Sequence, residues 1–383
     1  MANALARQGD SVHILAKSST VPDLLHSGVR FHTFAHTAAN RPFPWLDKFL
    51  RNEAAWEQGY SLSARNLILK LHAEQPVDCV EIPEYNGLAY EFAQPLPFPV
   101  VVHFHTPTWL IDRYNQQRVG RRQRRWYAFE SKAIARATAF RSPSNALRTE
   151  MSRKYEIDEN RITVIPHPVD TSAYDAIRHS DTGSDTIDIL FSGRLERRKG
   201  GDILLRDVHR LLELDPRVRI TFAGELDMGD AGNYRNAIER SLSETQRHRI
   251  WLLGPTKRQD LAVLYRRSTM LLLPSLFENA PYALLEAMAA KLPVVAARTS
   301  GIAELIRHDE TGLLFDIDTP DSLLGCVKAF IESPQHAAEC AQKAYNFVVD
   351  NFAPTEVARR SKEYYASVAD SSTSPTSLPR TRR

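Results

Sequence analysis

Residues 270–296 read MLLLPSLFENAPYALLEAMAAKLPVVA. The opening Met270–Leu273 is a short apolar run closed by Pro274, the pattern of a buried strand. Glu278-Asn279-Ala280-Pro281 reads as a loop, and 282–290 as a helix rich in Ala and Leu. Pro281 suits the first helical position, where its missing N–H has no partner to lose. Pro293 to Ala296 then reads as a second strand. A strand, a crossover helix and a second strand in this few residues predict neighbouring parallel strands in an α/β sheet.

The same alternation extends in both directions. Upstream, the strands Ile187 to Ser192, Val218 to Ala223 and Ile250 to Leu253 are separated by helices at 200–213, 231–241 and 257–266. In the first half, strands are read at Ser11 to Ala16, Gly28 to His32, Cys79 to Ile82, Val100 to Phe104, Ala139 to Ser142 and Ile162 to Ile165. The helices between them fall at 53–74, 86–94, 115–136 and 144–154. Met1 to Gln8 reads as the last turns of a helix closed by Gly9. The polar run His179 to Thr186 separates the halves. A chain of 383 residues holds two domains at roughly 100–200 residues each. The expected division is 1–178, 179–352, a crossover helix at 353–369 and a disordered tail at 370–383.

With 43% apolar and 25% charged residues and a net charge of +3, the composition is that of a folded globular protein. A bias this mild gives no ground for a nucleic-acid partner. Cys79, Cys326 and Cys340 show no metal or redox spacing, and no apolar run reaches the ~18 residues of a spanning helix. A cytoplasmic location is expected from these features, with peripheral contact at the inner membrane face as an addition. That addition rests on the arginines 113, 118, 121, 122, 124 and 125 beside Trp126 and Tyr127. A basic helix with aromatics suits an anionic membrane, and its alternative is a plain solvated face.

The residues that carry chemistry are ordered. Gly193-Arg194 follows one strand and leads to Lys199-Gly200; Glu278 follows another, with Glu286 inside the next helix. An arginine fork, a lysine point charge and a helix N-terminus are groups that suit an anionic ligand.

This set, with Ala287-Met288-Ala289 and Leu292-Pro293-Val294-Val295-Ala296 after the E-x7-E spacing, resembles glycosyltransferase family 4. Gly301 with Glu304, Glu310-Thr311-Gly312-Leu313-Leu314, Ser142-Pro143-Ser144, Val164-Ile165-Pro166 and Val169-Asp170 match it too. So does the final helix near Asn351-Phe352, and the resemblance covers nearly the whole chain. It implies the GT-B fold: two Rossmann-like parallel-sheet domains facing a central cleft. It also implies transfer from a UDP- or GDP-sugar with retention of anomeric configuration. The acceptor class it implies is a glycan, a lipid-linked sugar or a small molecule, in cell-surface polysaccharide or glycoconjugate synthesis. On this resemblance Arg194, Lys199 and Glu278 serve the reacting diphosphate and sugar. Glu286 takes the ribose hydroxyls, and Gly193, Asn279, Ala280 and Pro281 line the donor site. His105, aligned with the family's strand-end histidine, contacts donor sugar or acceptor, while His103 is structural. No cofactor beyond the donor and no metal are expected. Asp316-Ile317-Asp318 resembles a metal-binding D-x-D, but its position before a helix predicts capping aspartates.

Three departures stand out. His167-Pro168 replaces the family's usual Asn-Gly, and Asn279-Ala280-Pro281 its glycine-aromatic-glycine run. The family's first strand and glycine-rich loop are not seen before Met1 to Gln8, so an internal Met1 with about 20–35 residues upstream is expected, from the size of a strand, a loop and most of a helix. The competing readings are a catalytically inactive GT-B-like binding protein or truncated gene product, and a sugar-nucleotide epimerase, against which the E-x7-E-Ala-Met arrangement argues.

Overall fold

The computed structural model describes residues 1–17, 25–35, 53–135, 137, 139–175, 185–226 and 234–373. They divide into two compact units. One takes in Met1–Leu110, Arg118–Pro166 and the chain from Pro354 onward; the other takes in Ile111–Gln117 and His167–Ala353. The chain passes from one unit to the other after Pro166 and after Ala353, where boundaries after 178 and 352 were expected, and also after Leu110 and after Gln117.

In the first unit, β1 (Val12–Ala16) and β2 (Val29–Thr33) pair in parallel from Val12↔Val29 to Ala16↔Thr33. A separate parallel sheet runs β3 (Val80–Pro83), β4 (Val100–His103), β5 (Ala139–Ser142) and β6 (Ile162–Val164), in that order. All of β4 is buried, which is why a continuous β-branched run rather than an alternating one encodes it. Among the described residues the first half thus holds two sheets, and β1 and β3 each have a ladder partner on one side only.

The Pro354–Thr373 helix is bound to the second sheet. Tyr364 donates its hydroxyl to the Phe140 carbonyl at 2.8 Å, and Tyr365 donates to Glu81 Oε2 at 2.6 Å. Arg141, 1% exposed, donates to Glu81 Oε2 at 2.9 Å and to the Tyr365 hydroxyl at 3.0 Å. Burial alone would raise the Glu81 pKa; hydrogen bonding and charge from His103, then Arg141 and Tyr365, hold it well below the usual carboxylate range. Ala358 packs on Ala4 and Leu5 of the Ala2–Arg7 helix, and Gly9 follows it at φ +89°.

One expected helix starts late and another is replaced by turns. Of the span 115–136, residues 115–120 are non-helical and the helix is Arg121–Ile134, with a separate Thr108–Tyr114 helix before them. Gln116 at φ 52° and an extended Gly120 at the helix cap lie between the two helices, backbone conformations that a continuous helix does not contain. The span 86–94 is two 3₁₀ turns, Tyr85–Gly87 and Tyr90–Ala93. There Ser61 Oγ accepts the Glu91 N–H and donates to the Leu88 carbonyl, taking groups an α-helix would have used. Residues 370–373 continue the last helix, where the tail was expected. Most of the 179–186 linker and the rest of the tail lie outside the described residues.

The strands of the second unit are β7 (Ile187–Ser192), β8 (Val218–Ala223), β9 (Ile250–Gly254), β10 (Met270–Leu273), β11 (Val294–Ala297) and β12 (Leu313–Phe315). They form a six-stranded parallel sheet in the order β12-β11-β10-β7-β8-β9. The sequence reading placed the first five and missed β12, three residues long. The order runs outward in opposite directions from the β7–β10 pair, joined by Met270↔Ile189 and Leu271↔Leu190. That pair is the switch point of a doubly wound sheet, where loops from two parallel strands leave the same edge side by side.

Candidate active site

The loops after β7 and β10 are 193–199 and 274–281, and they carry Arg194, Lys199 and Glu278. The Leu276 N–H donates to the Arg198 carbonyl at 2.8 Å, stitching the two loops together. Gly200, at φ +86°, lies so close that a Cβ would stand 2.2 Å from the Pro274 carbonyl oxygen. On the other side, the Gly301 N–H donates to the Glu278 carbonyl at 2.8 Å, and a Cβ on Gly301 would meet the Asn279 oxygen at 1.7 Å. Only glycine allows these approaches.

The charged side chains form an alternating series. Arg194 Nη2 is 3.8 Å from Glu196 Oε1, and Arg198 Nη2 donates to the same oxygen at 2.6 Å. Arg198 Nη1 lies 3.6 Å from Glu278 Oε2 and donates to the Phe277 carbonyl at 3.2 Å. Lys199 Nζ donates to Glu278 Oε1, as does Ser275 Oγ. Three cations against two carboxylates leave the group one positive charge in excess. Arg194, about half exposed, and Lys199, one-fifth exposed, are its open members; Glu196, Arg198 and Glu278 are buried. Burial lowers the Lys199 pKa and raises that of Glu196; Glu278 partly restores the first, while Arg198 and Arg194 carry the second below its ordinary value.

A strap from the first half of the sequence holds this group. Asn115 Nδ2 donates to Glu196 Oε2 at 3.0 Å, its Oδ1 accepts the Arg198 N–H at 2.8 Å, and the neighbouring Tyr114 ring stacks 4.9 Å from Phe277.

Glu286, on the Tyr282–Ala289 helix, sits in a different environment. It accepts from the Tyr265 hydroxyl at 3.3 Å and lies 3.9 Å from Arg258 Nη2. Tyr265 also bonds Ser192 Oγ at 3.0 Å, next to Gly193. Burial raises the Glu286 pKa, against the opposing pull of Arg258, Tyr265 and Tyr174. The two ends of E-x7-E therefore differ: one lies in a cation cluster, the other in a tyrosine-lined recess.

Pro281 is the helix cap (φ −69°, ψ 120°) rather than its first residue. The Ala280 N–H donates to Asn279 Oδ1, so this loop amide already has a partner. His167 stacks on Tyr282 with ring centres 4.9 Å apart, which is what replaces the family's Asn-Gly here. Asp316 accepts from Arg298 Nε at 3.0 Å instead of capping a helix; the residue at the cap of Ser322–Glu332 is Asp321. Among the described residues no group of three or more His, Cys, Asp or Glu is arranged to hold a metal.

His105 belongs to the first unit, just beyond β4. Both oxygens of the fully buried Glu84 accept its N–H, at 2.8 and 3.0 Å. Its ring lies 4.5 Å from that of His103, whose Nδ1 is 3.1 Å from Glu81 Oε1.

Sequence reading found the open ends of the cluster and missed Glu196, Arg198, Asn115, Tyr265, Arg258 and Glu84. Glu196 and Arg198 stood inside the quoted motif, but a charge between two glycines carries no mark of burial. Asn115 could not be linked to them from 81 residues away.

Residues 1–173 match the family described as Glycosyltransferase Family 4, and residues 175–347 that described as Glycosyl transferases group 1. A D-inositol 3-phosphate glycosyltransferase of Pseudarthrobacter chlorophenolicus is 28% identical over 240 residues, 60% of this chain and 56% of that protein. The chain spans about half the length of the curated relatives it matches. Among solved structures, sucrose-phosphate synthase from Thermosynechococcus elongatus aligns at TM-score 0.75 and 19% identity, over 97% of this chain and 92% of that one. Anabaena Alr3699/HepE in complex with UDP-glucose aligns at 0.64 and 17% identity, over 89% and 86%.

Proposed function

The chain belongs to glycosyltransferase family 4, and on that premise we propose that it transfers a sugar from a nucleoside-diphosphate sugar to an acceptor with retention at the anomeric carbon. The observation that carries this is the cluster at the β7–β10 switch point, with its excess positive charge and its two open cations. Arg194 and Lys199 meet the diphosphate and stabilise it as it leaves. A phosphate there competes with Glu278 for Lys199, which turns Glu278 toward the hydroxyls of the sugar. Glu286, braced by Tyr265, accepts from the ribose. The Gly193, Asn279, Ala280 and Pro281 backbone borders the diphosphate, and no metal takes part. The UDP-glucose bound by Anabaena HepE supports a UDP-hexose as the first donor to try, with GDP-sugars second.

The test is a panel of UDP- and GDP-sugars offered with glycan and lipid-linked acceptors, read by nucleoside diphosphate release and by the anomeric proton coupling of the product. Release with an unchanged anomer is expected. An inverted anomer defeats the retaining assignment, and no turnover or thermal shift with any donor defeats the reading.

The acceptor side includes an anionic surface. Arg118, Arg121, Arg122, Arg124 and Arg125 are exposed around the half-exposed Val119, at the start of the Arg121–Ile134 helix. Each such arginine contributes about 1 kcal/mol near an acidic bilayer, so replacing Arg121, Arg124 and Arg125 by Gln should weaken binding to phosphatidylglycerol vesicles about a hundred-fold. Sedimentation with acidic and with neutral vesicles measures this, and equal partition of both proteins rules the membrane contact out.

A further inference from the structure

Glu84 is fully buried and belongs to no motif in the sequence. Its carboxylate sits under the turn that follows β4. Both of its oxygens take the His105 N–H, and Oε2 lies 3.5 Å from His105 Nδ1. The same Nδ1 lies 3.1 Å from the His103 carbonyl oxygen. Each of these neighbours can only accept, so Nδ1 must carry a hydrogen. Any proton the ring gains or loses is then at Nε2, and the side chain is 45% exposed.

A second buried carboxylate braces the other end of the turn. Glu130 accepts the Thr108 N–H at 3.2 Å and its hydroxyl at 2.6 Å, and Trp126 Nε1 donates to Thr108 Oγ1 at 3.0 Å. Residues 105–108 are thus held from both ends by side chains fixed in the first unit's core, the arrangement that presents a binding group with little freedom to lose.

We propose that Glu84 is a positioning residue: it locks the His105 imidazole with Nδ1–H inward and keeps the ring cationic, so that Nε2–H is offered to an oxygen of the sugar substrate. This rests on the reading of His105 as a substrate contact. A carboxylate with no exposure needs a compensating positive charge, and the ring it holds supplies one. Glu84, Glu81 and His103 act on that ring. Burial disfavours the charge on His105, but the hydrogen bond and charge of Glu84, then the His103 carbonyl and Glu81, outweigh it and raise the pKa. His103, by contrast, is pushed below its ordinary value by burial despite the pull of Glu81, so the ring beside His105 stays neutral as His105 charges. His105 therefore gains its charge as pH falls and loses it, with its pairing to Glu84, as pH rises through a value above the ordinary 6.5.

The experiment is a ¹⁵N-histidine titration of the whole chain, with His105→Gln assigning the resonance, beside pH profiles of kcat/KM. In the wild type, His105 should titrate above 6.5 with Nδ1 protonated throughout. In Glu84→Gln, which keeps an oxygen for the His105 N–H, the midpoint should fall by about one unit, and the alkaline limb of kcat/KM should fall with it. A wild-type midpoint at or below the ordinary value overturns the proposal without any variant, and so does an unmoved midpoint in Glu84→Gln. A moved midpoint with an unmoved rate profile overturns the substrate contact at His105, while leaving glycosyl transfer by the second unit untouched.

Discussion

Lys199→Ala is expected to lower kcat/KM for the nucleotide sugar by about a hundred- to a thousand-fold, the usual loss when one preorganised charge-stabilising group is removed. Lys199 is the ammonium nearest Glu278, held in the narrow gap between the β7 and β10 loops. No neighbour can replace it: Arg198 is buried and committed to Glu196, and Arg194 reaches toward Glu196 from the exposed side. The loss should fall on kcat more than on KM, because the diphosphate's charge grows as its bond to the sugar breaks. Burial depresses the Lys199 pKa below the ordinary 10.5, so wild-type activity should fade at a pH below the usual lysine range, as the native ammonium loses its proton. Initial rates across donor concentration and pH measure both effects. A change of less than threefold in kcat/KM would remove Lys199 from the chemistry.

Arg198→Met should cost the second unit about 3–5 kcal/mol, the range for deleting one partner of a buried ion pair. The side chains of Glu196 and Glu278 are 2% and 5% exposed, and both face this guanidinium. Without it, Glu196 keeps Asn115 and the half-exposed Arg194 at 3.8 Å, and Glu278 keeps Lys199 and Ser275, but the buried cation that faces both carboxylates is gone. Chemical denaturation of wild type, Arg198→Met and the double variant with Glu196→Gln separates the terms. The double variant should recover part of the loss, since it removes one of the stranded charges. Full stability in the single variant would mean the charges are not coupled as the distances indicate.

Both effects turn on residues of different legibility. Lys199 could be read from its place between a strand and a glycine; Arg198, its neighbour, reads as one more surface arginine in Arg197-Arg198-Lys199. The difference is burial, and burial of a polar side chain depends on which loops close over it. Likewise Glu278 and Glu286 share a spacing, yet one is set among cations and the other beneath tyrosines because their environments come from β7, β10 and the Arg258–Arg267 helix.

The sequence by itself determined the alternation of strands and helices, the parallel sheets, and the order of the donor-site residues, because periodicity, proline and glycine act over a few residues. It determined the opening helix and its glycine stop for the same reason. Tertiary structure alone decided that the described strands of the first half form two separate ladders, that Gly120 caps a helix starting only at Arg121, and that Glu84 grips the turn at His105. It also brought Asn115 onto Glu196 and Arg198 across 81 to 83 positions of sequence. Those outcomes depend on how buried charges find partners in a low-dielectric interior, and a partner far along the chain leaves no local trace.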